Sequence, residues 1–147
     1  MTGWVTSMRR LAALAPLALL VGASPVATLK VDVDALRNAR GVIRLCLTAV
    51  ASNFPTCEDD ARAVARSVPA SQRSLAYDGL PPGGYAVAII HDENGNGKLD
   101  TFAGIPREGF GFSRNPRIAF GPPRFDAARF TVQRGAEEQR IRMRYMF

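Results

Sequence analysis

The stretch TLKVDVDAL, residues 28–36, alternates Leu29, Val31 and Val33 with Lys30, Asp32 and Asp34. Successive side chains of an extended chain point to opposite faces, so this period of two predicts a strand with one face in a core and the other in water. The signal recurs along the chain, in short segments separated by Gly, Pro, Asn and Asp. GVIRLCLTAV, residues 41–50, predicts a second strand. SLAYDGL and GYAVAIIHD flank a turn carried by Pro81, Pro82, Gly83 and Gly84, and the second of the two is apolar on both sides, as a central strand is. DDARAVARSVPA, residues 59–70, reads either as one helical turn or as a strand. DAARFTVQ and EEQRIRMRYMF close the chain as a predicted hairpin around Arg134 and Gly135. No segment carries three turns of amphipathic helix. About seven short strands at this spacing predict an all-β fold, a single β-sandwich of immunoglobulin-like or prealbumin-like type. Tyr85, just after the Pro/Gly turn, is either a corner tyrosine bonding back to the backbone or an ordinary core aromatic.

The first residues do not belong to that domain. MRRLAALAPLALLVGAS, residues 8–24, places Arg9 and Arg10 before an apolar run from Leu11 to Val21 and ends in small residues. This is the layout of a cleavable signal peptide. Val21 and Ala23 suit the −3 and −1 positions, which puts the signal at residues 1–23 and the mature domain at 24–147. The alternative is a retained anchor, but the run is shorter than the roughly 20 apolar residues a spanning helix needs, and Pro16 interrupts it. The expectation is a periplasmic or secreted protein with no transmembrane span after cleavage.

The whole chain carries a net charge of +6, and removing Arg9 and Arg10 leaves 17 basic against 13 acidic residues, +4. A basic balance can indicate nucleic acid or an anionic surface. Here Arg140, Arg142 and Arg144 alternate with Ile141, Met143 and Tyr145, the pattern of a solvated strand face. No nucleic-acid partner is expected; an envelope partner or a glycan is. The two cysteines, Cys46 and Cys57, predict a disulfide in an exported chain, worth ~3 kcal/mol for a loop of this size, the alternative being two buried thiols.

HDENGNGKLD, residues 91–100, has more polar side chains than a turn requires. Asp92, Asn94, Asn96 and Asp100 fall at positions 1, 3, 5 and 9 of a calcium loop, with Gly97 at 6. Calcium takes six to eight hard oxygen ligands, and alternate side chains of a tightly curled loop converge on one point. Gly97 permits the bend, the Lys98 carbonyl follows it, and Leu99 packs the loop onto the domain. Position 12, usually a bidentate Glu, is Ala103; Glu108, five residues on, is placed to fold back and supply the missing ligand, the alternative being Glu93, which points the wrong way in the alternation. The expected ligands are Asp92, Asn94, Asn96, Lys98, Asp100 and Glu108, with weak affinity, ~10⁻⁵ to 10⁻³ M. The alternative is an Asx-rich turn that caps its own backbone without an ion. Beyond it, AGIPREGFGFSRNP reads either as a binding loop presenting Phe110, Phe112 and Ser113 beside His91, or as a connection whose phenylalanines tuck into the sandwich.

LPPGGYAVAIIHDENGNGKLD, GIPREGFGFS and FDAARFTV together resemble a bacterial family named domain of unknown function 2141. The match is specific over residues 75–113 and is carried by Tyr85, His91, Asp92, Asn94, Asn96, Asp100, Pro106, Glu108, Gly109 and Ser113. The resemblance implies a small exported β-sandwich and no assigned activity; the cysteine pair lies outside its pattern.

His91 is the only histidine, which removes a two-His zinc site. A Ser-His-carboxylate set would have to combine His91 with Ser113 and Glu108 or Asp92, yet no nucleophile-elbow sequence surrounds any serine. Two functions follow: a non-enzymatic, calcium-stapled envelope module, or a small calcium-dependent hydrolase or carbohydrate-processing domain using His91, Glu108 and Ser113.

Overall fold

The structure is a computed structural model that describes residues 1, 22, 26–58, 61 and 63–147. The expected signal segment therefore lies, apart from Met1 and Gly22, outside the described residues. Among the described residues ten strands form: β1 (Ala27–Asp34), β2 (Val42–Thr48), β3 (Val64–Pro69), β4 (Ser74–Leu80), β5 (Gly83–Asp92), β6 (Thr101–Phe102), β7 (Ile105–Pro106), β8 (Gly109–Phe112), β9 (Phe130–Val132) and β10 (Gly135–Arg142). One helical turn, α1 (Phe125–Ala128), precedes β9.

The strands make a β-sandwich. One sheet has the order β10-β1-β4, the other β3-β2-β5-β8, with β9 paired to the start of β5. β1 is antiparallel to β4 and parallel to β10, with Ala27 opposite Gly135 and Asp34 opposite Arg142. The alternation read in TLKVDVDAL is realised directly: Leu29, Val31 and Val33 are buried, and Lys30 faces outward. They meet Ile43, Leu45, Leu47, Val87 and Ile89 from the other sheet in one core, which also takes Leu75, Tyr77 and Ile141.

β5 is central, between β2 and β8, and has two apolar faces. Val87 and Ile89 enter the main core. Ala86 and Ala88 face a second cluster with Cys46, Phe110, Phe112 and Ala128, against which Phe54, Ile118 and Phe125 pack. The disulfide joins Cys46 to Cys57 beside that cluster and ties the loop after β2 back to the strand.

One expectation is revised and three open readings are decided. β9 and β10 are no hairpin: Gly135, at φ +100°, turns the chain from one sheet to the other, where β10 joins β1. Within the 59–70 stretch, Val64–Pro69 forms β3, antiparallel to β2. GFGF is a strand and not a loop, and Phe110 and Phe112 are buried. Tyr85 is a corner tyrosine, its hydroxyl donating to the Pro81 carbonyl at 2.8 Å.

Candidate functional site

β5 ends at Asp92, and the chain then curls through residues 93–100 before the small β6–β7 hairpin returns it to β8. Asp92 directs the curl. Its side chain is fully buried; Oδ1 accepts the amides of Gly95 (2.7 Å) and Asn96 (3.1 Å), and Oδ2 accepts that of Gly97 (2.8 Å). Gly95 and Gly97 have φ of +73° and +88°, the left-handed region that such a turn needs and glycine adopts without steric cost. Arg44 on β2 lies beneath, its guanidinium 3.9 Å from Asp92 Oδ2, a counter-charge the sequence reading did not assign.

Glu108 folds back onto the loop, and it too serves the backbone. Oε1 accepts the Glu93 amide at 2.9 Å and Oε2 the Asp100 amide at 3.1 Å, from a side chain that is almost entirely buried. One carboxylate thus ties the start of the loop to its end.

The outer side chains converge on one another. Asn94 Nδ2 donates to Asp100 Oδ2 at 2.6 Å, and Asn96 Nδ2 donates to Asp100 Oδ1 at 2.8 Å. These bonds, that from Asn96 first, hold the Asp100 carboxyl below its ordinary range. The amide oxygens of Asn94 and Asn96 accept the backbone N–H groups of Asn96 and Lys98, keeping alternate side chains on one side of the loop. Lys98 is exposed and Leu99 half-buried. The five side-chain members of the expected ligand set therefore divide into an inner pair, Asp92 and Glu108, and an outer trio, Asn94, Asn96 and Asp100, with Lys98 expected only through its carbonyl. Among the described residues no three His, Cys, Asp or Glu side chains come together as a metal cluster. The donors an ion would meet are amide, carbonyl and carboxylate oxygens, the set that suits calcium and not a thiophilic or imidazole-seeking metal.

His91 is fully buried and bound on both ring nitrogens. Nε2 lies 2.8 Å from the Arg40 carbonyl and Nδ1 2.7 Å from the Tyr145 hydroxyl. A carbonyl only accepts, so Nε2 carries the proton; in the neutral ring Nδ1 then accepts from Tyr145, whose oxygen takes the Arg37 amide at 3.3 Å. Arg37 stacks on the Tyr145 ring with its guanidinium carbon 4.5 Å from the centroid, and pairs through both nitrogens with Glu93. That pairing, helped by Asn38, pulls the Glu93 carboxyl down to about 2. Ser113 is also buried: Oγ accepts the Val87 amide at 2.9 Å and lies 2.5 Å from the Ala128 carbonyl. Its side chain continues the β5–β8 pairing where β8 ends. His91, Phe110, Phe112 and Ser113 are thus not presented to solvent, and the group expected for hydrolysis, His91, Glu108 and Ser113, is engaged in holding the backbone.

An open polar cleft of about 640 Å³ runs beside the loop, lined by residues that include Arg37, Arg40, Glu93, Asn94, Asp100 and Arg107. Neither Arg40 nor Arg107 was singled out from sequence. Arg107 lies within GIPREGFGFS beside Glu108 without any spacing that marks it, Arg40 lies outside every motif, and only the fold brings the β1–β2 connection to the loop. No curated protein and no solved structure matches the chain. A family model described as an uncharacterized protein conserved in bacteria, domain of unknown function 2141, matches residues 31–140, which is most of the sandwich and all of the loop, and the chain belongs to that family.

Proposed function

We propose that this protein is an exported, non-enzymatic module of the cell envelope whose loop at residues 92–100 holds a calcium ion. The observation that carries the reading is the convergence of Asn94, Asn96 and Asp100 on the outside of a loop whose backbone Asp92 and Glu108 already order from within. A calcium ion between the outer side chains would take oxygen from Asp100, from the two amides by a half-turn of each, and from the backbone near Lys98. With only Asp100 as an outward carboxylate, affinity belongs at the weak end, ~10⁻⁴ to 10⁻³ M, as in extracellular modules. Export is supported by the Cys46–Cys57 disulfide, a bond that persists in oxidising compartments. No helix among the described residues is long and apolar enough to cross a membrane. The hydrolase alternative has no observation in its favour, since the hydrogen-bonding groups of its three residues are already engaged inside the fold.

Thermal melts of the oxidised protein in EDTA and in 1 mM calcium test the reading. At a Kd of about 100 μM, mass action adds roughly 1.4 kcal/mol, a rise in Tm on the order of 5 °C. Magnesium, which requires stricter octahedral geometry, should give much less. Equal melts in EDTA and calcium would return the loop to an Asx turn that needs no ion.

A further inference from the structure

The cleft beside the loop has an uneven charge arrangement. Three guanidinium groups, Arg37, Arg40 and Arg107, face three side-chain carboxylates, Glu93, Asp100 and Glu108, and Phe147 joins the lining with its main-chain oxygen accepting from Arg37 at 2.8 Å. Glu93 is paired with Arg37, Asp100 is held by two side-chain amides, and Glu108 caps two backbone amides. Among the described residues neither Arg40 nor Arg107 has an ion-pair partner, and both are exposed. Two cationic forks thus line a cleft in which every carboxylate is already engaged. Its volume suits a ligand of one or two rings.

We propose that this cleft binds a carboxylate-bearing saccharide, gripped at its carboxylate by Arg40 and Arg107. Guanidinium forks match a planar carboxylate with paired, charge-assisted hydrogen bonds. Asn94, Thr101 and Asp100 supply the mixed donors and acceptors that sugar hydroxyls need, and Phe147 adds apolar surface on which the face of a sugar ring can rest. The inference rests on the calcium reading for one element only: an ion at Asn94 and Asp100 would add two positive charges to the cleft. Calcium then tightens the saccharide, and by linkage the saccharide tightens calcium by the same factor.

The test titrates the full, oxidised chain with a glucuronate-bearing disaccharide, its uncharged methyl ester, inorganic phosphate and phosphatidylglycerol vesicles, each in 1 mM calcium and in EDTA. The expected result is binding of the acid, at least tenfold weaker for the ester and for Arg40→Gln/Arg107→Gln. Both side chains are exposed, and the Arg40 carbonyl that holds His91 is untouched, so that variant should keep the wild-type melting temperature. Equal binding of acid and ester, an unaffected double variant, or phosphate or vesicles binding as well as the acid would each overturn the proposal. A calcium-raised Tm without saccharide binding sinks this inference and leaves the calcium reading standing. Binding of the acid through the two arginines, equal in EDTA and calcium, supports the grip and removes the ion from it.

Discussion

At the scale of single residues, the buried carboxylates act as backbone acceptors. Asp92 takes three amides while wholly excluded from water, and removing it leaves those donors without their acceptor inside a folded loop. Asp92→Ala is expected to lower stability by about 3 kcal/mol in urea denaturation, even in EDTA, because the loss precedes any ion. Glu93 gives a pH signature. Its folded value of about 2, set first by Arg37, lies below the 4.5 of an unpaired glutamate, so the stability it adds is complete above about pH 4.5 and is lost as pH falls toward 2. Melting temperature should therefore fall as pH is lowered from about 4.5 toward 2 in the wild type, and fall less steeply in Glu93→Gln. Tyr77 works in the opposite direction. Among the described residues its buried hydroxyl has no partner at hydrogen-bond distance, although the Arg66 guanidinium lies over its ring, and burial pushes its pKa up to about 12. Tyr77→Phe should therefore raise stability, by about 1 kcal/mol. Of these three, only Asp92 was legible as part of a motif. Its place in HDENGNGKLD announced oxygen ligands at alternate positions. Which oxygens turn inward depends on amide donors at Gly95 and Gly97 and on a glutamate eight residues beyond Asp100, relations that side-chain identity alone does not encode.

At the scale of elements, strands that alternate were readable and strands defined by their neighbours were not. β1 shows its two faces in sequence because one is solvated, and β5 shows its centrality because both faces are apolar. β8, with the sequence GFGF, looks like a loop because its glycines carry no side chain to signal a face. Their role appears only with the C-terminal segment in place: Phe110 exchanges both backbone hydrogen bonds with Arg144, at 3.0 and 2.8 Å. A Cβ on Gly111 would sit 2.8 Å from Ile141 Cγ2 and 3.0 Å from Met143 Sδ. Gly111→Val should accordingly cost about 2–3 kcal/mol by overpacking, read as a lower urea midpoint with an unchanged slope. The β9–β10 turn misled for a related reason. Arg134-Gly135 is a sound local turn signal, but a turn in a sandwich is equally able to reverse the chain within a sheet or carry it to the other one, and the choice rests on pairing with a strand a hundred residues earlier.

At the scale of the whole molecule, the route of the C-terminal segment connects the sandwich to the loop. The chain leaves β10 in the first sheet, where Met143 still donates to the Asp34 carbonyl, and crosses to the second sheet at Arg144. Tyr145 then reaches His91 at the end of β5, one residue before the loop begins, while Arg37 links the same tyrosine to Glu93 inside it. Both sheets and the β1–β2 connection therefore converge on the base of the proposed calcium site. A loop restrained in this way needs less ordering when an ion arrives, and ordering is one of the main costs of weak binding. Tyr145→Phe keeps the ring under Arg37 and deletes only the hydroxyl, which leaves His91 Nδ1 buried without a donor. The expected loss in chemical denaturation is about 1–2 kcal/mol. Calcium affinity, measured by isothermal titration at a temperature where the variant is fully folded, should fall by severalfold although no proposed ligand has changed. Lower stability with an unchanged calcium Kd would mean that the C-terminal segment braces the sandwich alone, and that the order in the loop comes from Asp92 and Glu108 without help from below.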